Sequence, residues 1–332
     1  MDLSTSYLGI ELPHPFIAGA SPLSDNVDRA KRLVDGGASA IVLRSLFEEQ
    51  LDAEAMAHHF ATDAHAHSSA EAASWFPDID DCVFGPEEYL EHLRRTKAAT
   101  GVPVFASLNG RTLGGWLRYA QDLERAGASG IELNLYEVET DPEEGAEEIE
   151  ERQVEMVQEV KRAVRIPIAV KLSPFYTSLA HLAVRLATAG ADGLVLFNRF
   201  YETDIDIDEL EVRTHLELSQ PGELLLRLRW LALLSGRVEA SLAVSGGVHT
   251  ARDAIKAILC GADAVQMVSV LLHHGPQRLR ETRERMVGWM QERGYDSLAQ
   301  MRGAMNLARA PDPKAFERAN YMRVLQTWRM GP

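Results

Sequence analysis

One pattern constrains this chain more than any other. Short apolar runs recur near residues 16, 41, 105, 132, 169, 195, 243 and 266, and each is followed by a segment with apolar residues at helical spacing. The clearest unit runs from Leu242 to Ser269. It holds the run Leu242-Ala243-Val244, a turn at Ser245-Gly246-Gly247, a helix carrying Ala254, Ile255, Ala257, Ile258 and Leu259, a stop at Gly261, and the run Ala264 to Val268. Strand, helix and strand in that order form a right-handed crossover between parallel strands. Eight such units predict an α/β chain folded as a (β/α)8 TIM barrel, a single domain over residues 1–332 with a helical tail from about 297 to 332.

Composition narrows the function. A net charge of −15 argues against nucleic acid or an anionic membrane as partner. No apolar run is long enough to span a bilayer, and the first residues lack the basic and apolar regions of a signal peptide, so a cytoplasmic protein with a small-molecule substrate is expected. Cys82 and Cys260 are too few for a disulfide framework. His58, His59, His65 and His67 fall in a polar stretch without regular ligand spacing, so that stretch reads as an excursion over the barrel mouth and no metal site is expected. The acidic run between Glu139 and Glu159 reads as a solvated helix face, and the segment with Asp204, Asp206, Asp208 and Glu209 as a loop. Tyr321 and Trp328 in the tail are expected to pack on the barrel or on a second subunit.

Barrels of this kind carry their active sites at the C-terminal ends of the strands. Those ends read Gly19, Ala20 and Ser21; Arg44 and Ser45; Asn109; Asn134; Lys171; Asn198 and Arg199; Gly246 and Gly247; and Val268 and Ser269. Asparagine is depleted in strands, so Asn134 and Asn198 at strand tips point to a ligand. Consecutive glycines expose backbone N–H groups, and the N-terminus of the following helix adds positive potential, so Gly246-Gly247 predicts a phosphate site, with Val268-Ser269 as its second half. A lysine at a buried strand end suits either a charge developing on a flavin ring or a Schiff base, which leaves a phosphate-binding lyase acting through Lys171 as an alternative.

The order PFIAGAS, VLRS, IELN, VKLSPF, LFN, VSGGV and GADAVQMVS, spread over nearly the whole chain, resembles the FMN-containing dihydroorotate dehydrogenases. The resemblance implies an FMN-dependent oxidoreductase acting on a CH–CH bond in pyrimidine biosynthesis, dihydroorotate being oxidised to orotate. By the same resemblance Gly19, Ala20, Ser21, Ser45, Asn109, Asn134, Lys171, Gly246, Gly247, Val268 and Ser269 bind the cofactor, and Arg44, Asn134 and Asn198 face the substrate. The apolar runs start close to residue 1, so the likeness is to the soluble class, which works as a homodimer or with an iron–sulfur partner subunit. The residues do not choose between these. The chain departs from the family where the catalytic base is expected: after Asn134-Leu135 it reads Tyr136-Glu137, with no cysteine or serine at the base position. Glu137 falls there, and a carboxylate with a suitable environment can act as the base beside Lys171. A second departure is Arg44, where the family has a lysine or its equivalent. These differences leave the substrate open and admit a flavin-binding relative without catalysis.

Overall fold

The computed structural model describes residues 1–47, 85–110, 112–135, 139–199, 203–213, 216–316 and 320–327. The chain begins with a hairpin, β1 (Thr5–Tyr7) antiparallel to β2 (Ile10–Leu12), where the sequence suggested only a leader. The eight expected apolar runs then form strands: β3 (Phe16–Ala18), β4 (Ile41–Phe47), β5 (Val104–Asn109), β6 (Gly130–Asn134), β7 (Ile168–Leu172) and β8 (Gly193–Leu196), then β11 (Ser241–Ser245) and β12 (Ala264–Met267). All pair in parallel and close in the order β3-β4-β5-β6-β7-β8-β11-β12, which is a TIM barrel.

Helices cover the strands: α1 (Val27–Asp35), α2 (Pro86–Thr100), α3 (Leu113–Arg125), α4 (Ala146–Ala163), α5 (Leu179–Thr188), α6 (Leu224–Leu234) and α7 (Ala251–Cys260), with α8 (Ser269–His274) and α9 (Arg278–Glu292) after the last strand. Local chemistry sets their ends. The side chains of Asn26 and Thr112 accept from the third backbone N–H of α1 and α3, and Gly101 and Gly261 close α2 and α7 in left-handed conformation. The acidic run behaves as a helix face with partners. Glu147 and Glu148 open α4, Lys161 and Arg162 close it, and Arg152 and Arg185 pair with Glu144 and Glu151.

Alternation along each strand sorts its side chains. Ile41, Ile131, Leu133, Ile168, Val170, Leu194, Val244 and Val265 pack outward against helices. Ile17, Val42, Phe105, Ala169, Val195, Ala243 and Ala264 point into the barrel and meet Tyr7, Leu8 and Leu12 of the hairpin. Tyr7 makes an edge contact with Phe105 at 5.8 Å between ring centres. The hairpin is thus a plug for the N-terminal end of the barrel.

Two expectations change. The acidic connection after β8 is a second hairpin, β9 (Asp204–Asp206) with β10 (Glu211–Arg213), because the Asp206 carboxylate accepts from the N–H groups of Asp208 and Glu209 and closes the turn. In the tail, α10 (Leu298–Met301) buries Leu298 and Met301, and the backbone of Gly303, Met305 and Leu307 bonds to the ends of α7 and α6. Tyr321, in α11 (Asn320–Thr327), is exposed, so it does not pack on the barrel; Trp328 and the four histidines lie outside the described residues. Among the described residues no helix is long and apolar enough to cross a membrane.

Candidate functional site

The C-terminal mouth of the barrel opens into a cavity of about 360 Å³, the size of a small-ligand site. Of the residues named from sequence, Ala20, Ser21, Ser45, Asn109, Asn134, Lys171, Asn198, Gly246, Val268 and Ser269 line it. Gly19 and Gly247 stand just behind the wall. A Cβ on Gly19 would lie 2.7 Å from the Val268 side chain, and one on Gly247 2.6 Å from the backbone of Leu224. Glu137 lies outside the described residues.

Arg44 does not line the cavity, and the register of β4 explains why. Val42 pairs with Phe105 but the next pair is Ser45 with Ser107, so β4 advances three residues where β5 advances two. The extra residue is a bulge. Ser45 takes the inward place that simple alternation from Val42 would give to Arg44, and the Arg44 guanidinium turns to Asp25 at 3.2 Å.

The floor of the cavity is a buried polar layer. Glu132 points inward from β6, where one carboxylate oxygen accepts from Lys171 Nζ at 3.1 Å and the other from Gln266 Nε2 at 2.6 Å. Glu132 and Gln266 are 2% and 1% exposed, so water does not compete for these bonds. Above them Asn134 Nδ2 donates to Ser107 Oγ at 2.8 Å, which lies 2.8 Å from Ser45 Oγ. Below the layer the Tyr7 hydroxyl is buried. Loss of solvent, reinforced by the Glu132 charge, raises its pKa well above the ordinary range.

At the glycine turn, Gly246 and Gly247 have φ of +87° and +77°, a conformation that suits glycine alone. The helix that follows differs from the sequence expectation. It starts only at Ala251, and its N-terminus is already occupied, since Thr250 accepts from Asp253 N while the Asp253 carboxylate accepts from His249 N and Thr250 N. These bonds form a capping box, and the Asp253 carboxylate offsets part of the positive potential there. Instead the turn is met by Ser219, whose hydroxyl accepts from Gly247 N at 3.2 Å and lies 2.8 Å from Ser269 Oγ, and by Arg227 of α6.

Sequence reasoning passed over Glu132, Gln266, Ser107, Ser219 and Arg227. A signal existed for three of them. Glu132 and Gln266 are polar residues inside otherwise apolar strands, at the inward parity of Asn134 and Ala264, and Arg227 interrupts a nearly unbroken run of leucines. Ser219 carries no local signal, because only the fold brings it to the turn.

The donor set can meet a polar ring and a phosphate. Carboxamides and an ammonium suit ring carbonyl and N–H groups, and the hydroxyls and guanidinium beside the glycine turn suit a phosphate. A family model described as dihydroorotate dehydrogenase matches residues 84–289. Among curated relatives, the catalytic subunit of dihydroorotate dehydrogenase B (NAD(+)) from Thermoplasma volcanium is 27% identical, covering 91% of this chain and 98% of the relative. The protein of the same name from Thermoplasma acidophilum is 26% identical over equal shares. The NAD-dependent dihydropyrimidine dehydrogenase subunit PreA from Escherichia coli is 23% identical, covering 92% of this chain and 77% of the relative.

Proposed function

The chain belongs to the dihydroorotate dehydrogenase family of oxidoreductases, and from that premise we propose that its cavity holds FMN and dehydrogenates a small cyclic amide of the dihydropyrimidine type. The observation that carries this reading is the convergence of Asn109, Asn134, Lys171 and the Gly246 turn on one cavity at the strand ends. When bound, FMN supplies the acceptor for the hydride that leaves the substrate carbon.

The chain's own residues do the rest. Asn109 and Asn134 orient the ring, and Lys171 sets a positive charge against the ring edge where electron density accumulates. Glu132 and Gln266 hold Lys171 in position from below. Gly246, Gly247, Ser219, Val268 and Ser269 surround the phosphate. Asn198 and Arg199 line the substrate end, so Arg199, held by Glu223, brings to the cavity the guanidinium that Arg44, outside it, does not. Glu137 takes the substrate proton on its carboxylate. A Schiff base would require Lys171 as a free amine, and its ion pair with Glu132 favours the flavin reading over the lyase.

The absorption spectrum of the purified protein tests the proposal, recorded before and after anaerobic addition of dihydroorotate and, separately, dihydrouracil. Flavin bands that bleach with one of these establish both cofactor and substrate. Absence of flavin, even after FMN is supplied, overturns the reading.

A further inference from the structure

Arg227 is an anomaly for its position. It lies in α6, LLLRLRWLALL, among Leu224, Leu231 and Leu234, and is 5% exposed. Burying a guanidinium is unfavourable unless its charge is matched. Its Nε donates to the carbonyl of Ser245 and its Nη1 to the carbonyl of Glu223, both neutral acceptors. The Glu223 carboxylate lies 3.8 Å from Nη2 but is engaged at 2.6 Å by Arg199, so two guanidiniums share one carboxylate. Among the described residues Nη2 has no hydrogen-bond acceptor, and Arg227 lines the cavity beside the glycine turn. Gly246 makes room for it: a Cβ there would lie 2.7 Å from Nη2.

We propose that Arg227 recognises the cofactor's phosphate, so that the glycine turn is a charged subsite selecting a phosphate monoester over the unphosphorylated flavin. The inference rests on the flavin reading of the cavity and adds a residue to it. Backbone N–H groups alone make a neutral cradle, and at the start of the helix after the turn the Asp253 carboxylate offsets part of the positive potential. A full positive charge at the turn comes only from a side chain. Nη2 supplies it as a charge-assisted donor, while the Ser219 hydroxyl meets Gly247 N and the Ser269 hydroxyl.

Flavin-free protein titrated with FMN and with riboflavin, followed by flavin fluorescence, tests this. The unsubstituted protein prefers FMN. Arg227→Gln is expected to lose about 10–100-fold in FMN affinity and none for riboflavin, and Arg227→Lys to recover part of the preference. Equal loss for both flavins, or no loss for FMN, overturns the proposal. If Arg227→Gln does not fold, Arg227→Met serves, because it keeps the apolar stem among the leucines of α6 and removes only the charge; an unchanged ratio of FMN to riboflavin affinity in that variant overturns the proposal as well. If the unsubstituted protein binds neither flavin, phosphorus NMR of inorganic phosphate separates the two ideas. Line broadening that Arg227→Gln abolishes supports Arg227 as an anion site and refutes the flavin reading, and no broadening in the unsubstituted protein overturns both.

Discussion

At the N-terminal end of the barrel, the inward residues Ile17, Val42, Phe105, Ala169, Val195, Ala243 and Ala264 close around Tyr7, Leu8 and Leu12 of the hairpin in a dry apolar layer. At the C-terminal end the same strands, two residues further on, present a polar layer of Ser107, Lys171, Ser245 and Gln266, of which Lys171 and Ser245 line a cavity. One inward step, about 6–7 Å along a strand, separates the two. The apolar end contributes burial and asks for nothing specific. Polar groups at the other end are tolerated where they find a particular partner, as Lys171 Nζ and Gln266 Nε2 do in Glu132, and a ligand can compete for those partners. Stability and chemistry are thus stacked along one axis, with Glu132 at the junction.

Substitutions can break this division. Glu137→Gln should act on chemistry alone, lowering turnover by about 10²–10⁴-fold while FMN content and the unfolding midpoint hold; full turnover in that variant would remove Glu137 from the mechanism. Tyr7→Ala should act on stability alone, by ~3–5 kcal/mol in urea unfolding, with cofactor content unchanged below denaturing conditions. Loss of flavin in step with loss of the plug would instead show that the ends are coupled.

His14, on the closed side, sharpens the comparison through pH. Burial, with Arg283 nearby, depresses its pKa from 6.5 to about 4. The unfolded chain therefore takes up this proton first as pH falls. The stability it represents is complete above pH 6.5 and is lost on descending towards pH 4, up to about 3 kcal/mol in all. His14→Gln should flatten that limb of the unfolding curve, and a limb of the same depth would assign the loss to other groups. The smallest effect is expected from Arg44→Ala. Its pair with Asp25 is partly exposed, so stability should fall by about 1 kcal/mol or less, and substrate KM should stay unchanged. A large rise in KM would return Arg44 to the substrate site.

Much of the architecture was legible in advance because helix and strand periodicity are local. The runs at 16, 41, 105, 132, 169, 195, 243 and 266 all became barrel strands, and reading their ends located most of the cavity wall, including Asn109, Asn134, Lys171 and Gly246. The reading failed where one residue changed a register. The bulge in β4 exchanged Ser45 for Arg44 at the inward position, and nothing in VLRS announces it. It also failed where a turn was closed by a side chain, as Asp206 closes the β9–β10 hairpin.

The sequence by itself determined the alternation of strands and helices, hence the barrel, and which residues stand at the strand ends, since both follow from spacing along the chain. Tertiary structure alone decided which of those residues share a ligand. Glu132 meets Lys171 and Gln266, and Ser219 meets Gly247 and Ser269, across separations of 28–134 residues. Arg227 reaches the glycine turn only because α6 packs beside β11. Such contacts depend on strand register and helix placement around the closed barrel, and periodicity within one segment carries no record of them.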